Sequence, residues 1–216
     1  MRYAIYYCPA RDSALGRFGE EWLAGADVTG LVPARRDVLL ADARRYGWHA
    51  TLRAPFALAQ GRDHGDLCRA IVKVAREHGS FALPLRLDRL AGFLALRPAG
   101  GSTAIDALAA ACLHATDTLR APLAAEALRK RAAGLDAAEL AYLQKYGYPY
   151  VLDRYRFHMT LAAPAAAAEE QAMQAWLAPR VSALPPAPID ALAICREPVP
   201  GAAFETIERI ALEPRA

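Results

Sequence analysis

A chain of 216 residues is long enough to bury a full core, and 55% hydrophobic with 23% charged residues is the make-up of a folded domain rather than a disordered one. A formal net charge of +3 and a short basic run, Arg129-Lys130-Arg131, exclude an extended footprint for long nucleic acid but leave room for a local positive cleft holding a small phosphorylated ligand. No apolar stretch is long enough to span a bilayer. The four cysteines, Cys8, Cys68, Cys112 and Cys195, lack metal-ligand spacing and read as buried reduced thiols. The amino terminus, MRYAIYYCPARD, has no apolar signal core, so the expected compartment is the cytoplasm, with no membrane partner.

Residues 2–8, RYAIYYC, are aromatic and β-branched and predict a strand ended by Pro9. Tyr3, Ile5 and Tyr7 alternate with Ala4, Tyr6 and Cys8, and alternation alone does not say which row looks inward. A helix is expected over 12–24, capped by Asp12 or Ser13, and residues 25–46 read as a loop rich in arginine. Leu67, Ile71, Val74 and Ala75 predict an amphipathic helix over 63–78, with Asp63 or Asp66 as its cap. Strands over 81–90 and 93–98 meet at Ala91-Gly92, and helices follow over 103–120, 123–132 and 136–146, the last stopped by Gly147. A helix over 166–180, a proline-rich connection and strands over 189–196 and 204–212 complete the chain.

Between these elements the chain says one phrase twice. Residues 45–55 read RYGWHATLRAP and residues 154–164 read RYRFHMTLAAP; at a constant offset of 109, seven of eleven positions are identical. Chance identity is about one in fifteen per position, so this is an internal repeat. On a strand, Trp48, Ala50 and Leu52 would share one face, and His49, Thr51 and Arg53 the other. In the second copy Tyr155, Phe157, Met159 and Leu161 form the apolar row, opposite Arg154, Arg156, His158 and Thr160. Pro55 and Pro164 suit strand ends. After each copy the predicted order is helix, strand, turn, strand, so the duplication extends to structure. The fold class is α+β: antiparallel sheets with helices outside, in one domain of two lobes over 1–216.

Two histidines whose unperturbed pKa lies near neutrality can serve as base and acid, and a threonine two residues along can hydrogen-bond a phosphate oxygen. Arg53 and Arg156 would add one guanidinium from each lobe for bidentate phosphate contact. Arg45 and Arg154 are also repeated, but Gly47 argues against an unbroken strand reaching back to Arg45, and both stay outside the site.

At His49-Ala50-Thr51-Leu52 and His158-Met159-Thr160-Leu161 the chain resembles the two-histidine (2H) phosphoesterase superfamily. The resemblance implies a two-lobed, pseudo-twofold fold with a central cleft lined by antiparallel sheets. It also implies cyclic phosphodiester chemistry without a metal or other cofactor, with His49, His158, Thr51 and Thr160 in the site. The opening RYAIYYCP, RYGWHATLRAPF and the stretch CREPVPGAAFETIERIALEP look like a bacterial group associated with phosphonate-utilisation (carbon–phosphorus lyase) operons. That likeness implies a ribosyl 1,2-cyclic phosphate as substrate, with a 2′,3′-cyclic nucleotide or RNA end as the next choice. An RNA-end ligase and a non-catalytic nucleotide- or phosphosugar-binding module are the rival readings.

The other candidates carry less. His64, in Arg-Asp-His-Gly-Asp, reads as a solvated helix entrance rather than a metal cluster, and His78 and His114 as helix residues without chemistry. Tyr146, Tyr148 and Tyr150 suit stacking on a base or sugar as well as core packing. The sequence has no G-x-x-x-x-G-K-[ST] loop, no G-x-G-x-x-G after a strand, no G-x-S-x-G elbow and no paired-cysteine zinc motif.

Overall fold

A four-stranded antiparallel sheet in the order β2-β1-β8-β9 and a three-stranded one in the order β4-β5-β6 carry the two copies of the repeated phrase on their edge strands. The computed structural model describes residues 1–214. In the larger sheet are β1 (Arg2–Tyr7), β2 (Ala50–Phe56), β8 (Ala191–Glu197) and β9 (Glu205–Ala211). In the smaller are β4 (Leu85–Leu90), β5 (Phe93–Pro98) and β6 (Met159–Ala162), while β3 (Phe81–Leu83) pairs with β7 (Ala187–Ile189). Among the described residues the seven α-helices are α1 (Ala14–Gly25), α2 (Pro33–Tyr46), α3 (His64–Glu77), α4 (Thr103–Asp117), α5 (Ala125–Ala132), α6 (Ala137–Tyr146) and α7 (Ala167–Ser182). The mixed architecture with antiparallel sheets is the α+β class expected.

β1 is buried on both faces, as the second strand of a covered sheet must be. Tyr3, Ile5 and Tyr7 join the main core with Leu67 and Ile71 of α3, and Ala4 and Tyr6 pack with Ala193 and Cys195 on the other face. This settles the face that alternation left open. Ala91 and Gly92, with φ of 48° and 91°, close the β4–β5 hairpin through two residues in the left-handed region, the conformation a tight hairpin requires.

Local signals match the structure where capping chemistry is explicit. Ser13 accepts a hydrogen bond from the Gly16 amide at the start of α1, and Asp63 and Asp66 form both halves of a capping box on α3. Asp136 and Gly147 begin and end α6. The basic run of α5 is exposed, as expected of a solvated face.

Residues 33–46, expected as a loop, form α2 instead. Pro33 occupies the first turn, where its missing N–H costs nothing. The helix buries only Leu39, Leu40 and Ala43, too few for a clear helical period. Its arginines are held by distant groups: Arg35 pairs with Glu169 at 2.7 Å, and Arg44 donates to the Leu23 carbonyl at 2.8 Å. Tertiary partners decide this helix, and periodicity does not report them. The strand in each repeat is also shorter than the phrase. Arg45 and Tyr46 end α2, and a 3-10 turn at Leu152–Arg154 precedes the second histidine.

Candidate active site

The two histidines are held in the same way. Gly47 follows α2 with φ of 76°, a conformation glycine adopts without steric cost, and its carbonyl accepts a hydrogen bond from His49 Nδ1 at 2.9 Å. In the second copy the carbonyl of Arg156, the residue equivalent to Gly47, accepts from His158 Nδ1 at 2.8 Å. A carbonyl only accepts, so Nδ1 carries the proton in both rings and Nε2 keeps its lone pair. Thr51 Oγ1 lies 3.3 Å from His49 Nε2, the geometry for a hydroxyl donating to that lone pair.

Aromatic rings wall each imidazole. Tyr6 lies against His49 with centroids 4.0 Å apart, and Tyr46 and Phe204 extend the wall. Phe93 of β5 meets His158 edge-on at 5.7 Å. Burial pushes the His49 pKa down to about 4, with the charge of His158 adding to the effect. Burial lowers the His158 pKa as well, and Arg97 adds to it. Both rings are therefore neutral bases in the free protein at pH 7.

Two adjoining hollows share Phe93 as a wall. The smaller, about 240 Å³, is lined by His49 and Thr160; the larger, about 490 Å³, by Thr51, His158, Arg156, Tyr148 and Tyr150. Each hollow thus takes its histidine from one copy of the repeat and its threonine from the other. β2 packs against β6, and Tyr155 of the second copy donates to the Thr51 carbonyl of the first at 3.0 Å. Trp22 of α1 fixes β6 from the other side by donating to the Leu161 carbonyl at 2.8 Å. Arg156 is exposed at the rim of the larger hollow.

Arg53 corrects the expectation. Between β1 and β2 the register runs Ile5 opposite Arg53 but Tyr6 opposite Thr51, so a bulge separates Thr51 from Arg53. Thr51 shares the face of Tyr6, and Arg53 turns with Ile5 toward the helices. There it is 2% exposed, donating to Thr116 Oγ1 at 3.2 Å and to the Tyr146 carbonyl at 3.0 Å. Arg53 anchors β2 to α4 and α6 and does not reach the hollows.

Arg45 and Arg154 also have partners of their own. Arg45 shares the fully buried Glu197 with Arg2, at 3.1 and 2.5 Å, and Arg154 pairs with Asp136 at 3.0 Å. Sequence reasoning missed Phe93 and Arg97. Both lie two residues from Ala95 on β5, and Ala95 lies opposite Thr160, so they share the face of β5 that carries the second motif's polar row. Strand alternation from the second motif onto its neighbour would have found them once the pairing was known. Of the three tyrosines, Tyr148 and Tyr150 line the larger hollow, while Tyr146 packs in a small core with Leu113 and Val151.

Residues 51–205 match a family model described as "Protein of unknown function (DUF1045)". Two proteins named ribose 1,5-bisphosphate phosphokinase PhnN are similar in sequence. The one from Janthinobacterium sp. (strain Marseille) is 38% identical over 228 residues, covering 97% of this chain and 50% of its own. The one from Laribacter hongkongensis (strain HLHK9) is 39% identical over 216 residues, covering 94% and 50%. The chain therefore spans about half the length of the curated relatives it matches. Among solved structures, TT0787 of Thermus thermophilus superposes over 100% of both chains with a TM-score of 0.50 and 17% identity, a likeness of fold alone.

Proposed function

The chain belongs to the DUF1045 family, and we propose that it is a 2H-type phosphodiesterase that opens a cyclic phosphate on a small ribose-containing substrate without a metal. The observation that carries this reading is the matched pair of Nδ1 hydrogen bonds, His49 to Gly47 and His158 to Arg156, which leaves a lone pair on each Nε2, that of His49 beside the Thr51 hydroxyl. The strand orders support it. Exchanging β1 with β5, β2 with β6 and β8 with β4 turns β2-β1-β8 into β6-β5-β4, the order expected of a pseudo-twofold pair of lobes, with β9 the extra strand.

In this reading His49, the ring most clearly held neutral, takes a proton from water as the water oxygen attacks phosphorus. His158 gains its proton when the anionic substrate binds, since a nearby negative charge favours imidazolium. It gives that proton to the departing sugar oxygen as the P–O bond breaks. Thr51, Thr160 and Arg156 hold the non-bridging oxygens.

The relatives' name bears on the substrate. Opening a ribose 1,2-cyclic phosphate at O2 leaves a 1-phosphate, and with a 5-phosphate already present the product is ribose 1,5-bisphosphate, the compound in that name. This chain has no G-x-x-x-x-G-K-[ST] loop and matches half of those proteins, so the kinase named there is assigned to the half it does not match. A role in phosphonate breakdown follows from the same substrate. Tyr148 and Tyr150 beside the larger hollow favour a second reading, a 2′,3′-cyclic nucleotide stacked on a ring.

A panel of ribose 1,2-cyclic phosphate 5-phosphate and the four 2′,3′-cyclic nucleotides, assayed with a strong chelator present, tests the proposal. Preference for the first supports the sugar phosphate, preference for the second supports the nucleotide, and tight binding without turnover of either selects a binding module.

A further inference from the structure

On the face of the larger sheet that turns away from His49, three donor side chains from distant parts of the chain converge. His64 and Cys68 lie one turn apart on α3 and so project from the same side of the helix. Glu208 of β9 stands opposite Ile194 of β8, which stands opposite Ile5, so its side chain shares the face against which α3 packs. His64 Nε2 is 3.2 Å from Cys68 Sγ and 3.7 Å from Glu208 Oε1, and all three donor atoms lie within 4.8 Å of one another.

The two separations from His64 are close to the edges of a coordination tetrahedron. With zinc–ligand lengths of about 2.0–2.3 Å, tetrahedral donors stand roughly 3.4–3.6 Å apart. From these distances we propose that His64, Cys68 and Glu208 bind a zinc-class divalent cation, with a fourth position open to water. The donor set is what selects the ion. One thiolate sulfur and one imidazole nitrogen disfavour magnesium and calcium, which require oxygen, and one carboxylate is compatible with zinc, cobalt or iron(II).

The immediate surroundings suit the role. Tyr3 of β1 stacks on His64 with centroids 6.0 Å apart and restrains the ring. Arg69, adjacent to Cys68 in sequence, is paired with Asp66 at 2.6 Å. Burial and the Glu208 carboxylate raise the Cys68 pKa, so the thiol keeps its proton until a cation arrives. Binding then replaces the S–H bond with a metal–sulfur bond and releases one proton to solvent. His64 and Glu208 are 37% and 50% exposed, so an ion from solution has a path to the site. Because the donors join the first turns of α3 to β9, the ion acts as a clasp between a helix and the last strand, apart from the histidines of the cleft.

Sequence spacing alone hides this site. His64 and Cys68 lie four residues apart, but the third donor comes from the far end of the chain.

The test is titration of chelator-stripped full-length protein with cobalt(II), followed by displacement with zinc. One equivalent of cobalt should produce a thiolate-to-metal charge-transfer band in the near ultraviolet and intense tetrahedral bands in the visible, both erased by one equivalent of zinc. Saturating zinc should raise the melting midpoint by about 5–10 °C. Cys68→Ser should abolish the near-ultraviolet band, and Glu208→Gln, at an exposed position that leaves the fold intact, should weaken cobalt binding by roughly 10–100-fold. Absence of a one-to-one cobalt band in the wild type overturns the proposal, as does a band that survives in Cys68→Ser through Cys8, Cys112 or Cys195. Cyclic phosphate turnover should be unchanged in both variants, so failure here is distinct from failure of the phosphodiesterase reading.

Discussion

His49 and His158 show how one backbone hydrogen bond fixes the tautomer and orientation of a ring. Each carbonyl partner fixes the tautomer, and burial holds the ring neutral. Both pKa values lie below the ordinary histidine value of about 6.5, so the pH dependence has a definite sign. Turnover through a neutral His49 should fall as pH drops through about 4. Turnover through a protonated His158 should fall as pH rises through its lowered pKa, below the ordinary histidine range. The kcat/KM profile of the free enzyme is therefore a bell on the acid side of neutrality. A plateau extending to pH 8 would assign the proton donor to another group. The arginines separate cleanly. Arg156→Ala should raise KM about tenfold and leave the melting midpoint unchanged, because the side chain is exposed at the rim. Arg53→Ala should leave KM unchanged and destabilise by about 1–3 kcal/mol, since it leaves the buried Tyr146 carbonyl without its donor while Thr116 keeps its hydrogen bond to the Cys112 carbonyl. Thermal melts and steady-state kinetics on the two variants read both outcomes. The sequence assigned one of these guanidiniums to each lobe for the phosphate. It could not show that a single bulge in β2 sends one of them to the opposite face.

Gly47 joins α2 to β2 and has two duties, a left-handed turn and the carbonyl that orients His49. A side chain there meets open space, so the cost of Gly47→Ala is conformational: about 1–3 kcal/mol, with a shift of the carbonyl. Lower kcat with that loss of stability is the expected result. Unchanged kcat would detach the carbonyl from the chemistry. What could be read in advance at this level was local. Capping residues marked α1, α3 and α6, and the alternating rows marked β2 and β6. α2 went unread because Arg35 and Arg44 find their partners at Glu169 and Leu23, which no window along the chain contains. The His64, Cys68 and Glu208 cluster escaped for the same reason.

Taken whole, the fold brings a duplicated phrase from two distant stretches to two adjoining hollows. β2 and β6 are edge strands of different sheets, and Tyr155 and Trp22 tie them into the same structure. Glu197 is a second such tie, joining the amino-terminal Arg2 and Arg45 of α2 to the end of β8. Its carboxyl is held at about 2, mainly by the hydrogen bond from Arg2. A depressed carboxyl contributes stability that is full above its unfolded pKa of about 4.5 and lost as pH falls toward 2. Glu197→Gln should therefore lower the melting midpoint at pH 7 and flatten its decline between pH 4.5 and 2. An acid limb identical to wild type would remove Glu197 from that role. The sequence made the α+β class legible, but not the sheet pairing, because identity between copies does not say which strands pair.

The central claim is that His49 and His158 act on one phosphorus. Phosphorus NMR of ribose 1,2-cyclic phosphate 5-phosphate, with excess chelator, follows its conversion by wild type, His49→Ala, His158→Ala and the double variant. Two groups working in one step give grossly non-additive losses. Each single variant should lose about 10²–10⁴-fold, and the double variant little more. Losses that multiply in the double variant, or a wild type that leaves the cyclic signal intact, would contradict it.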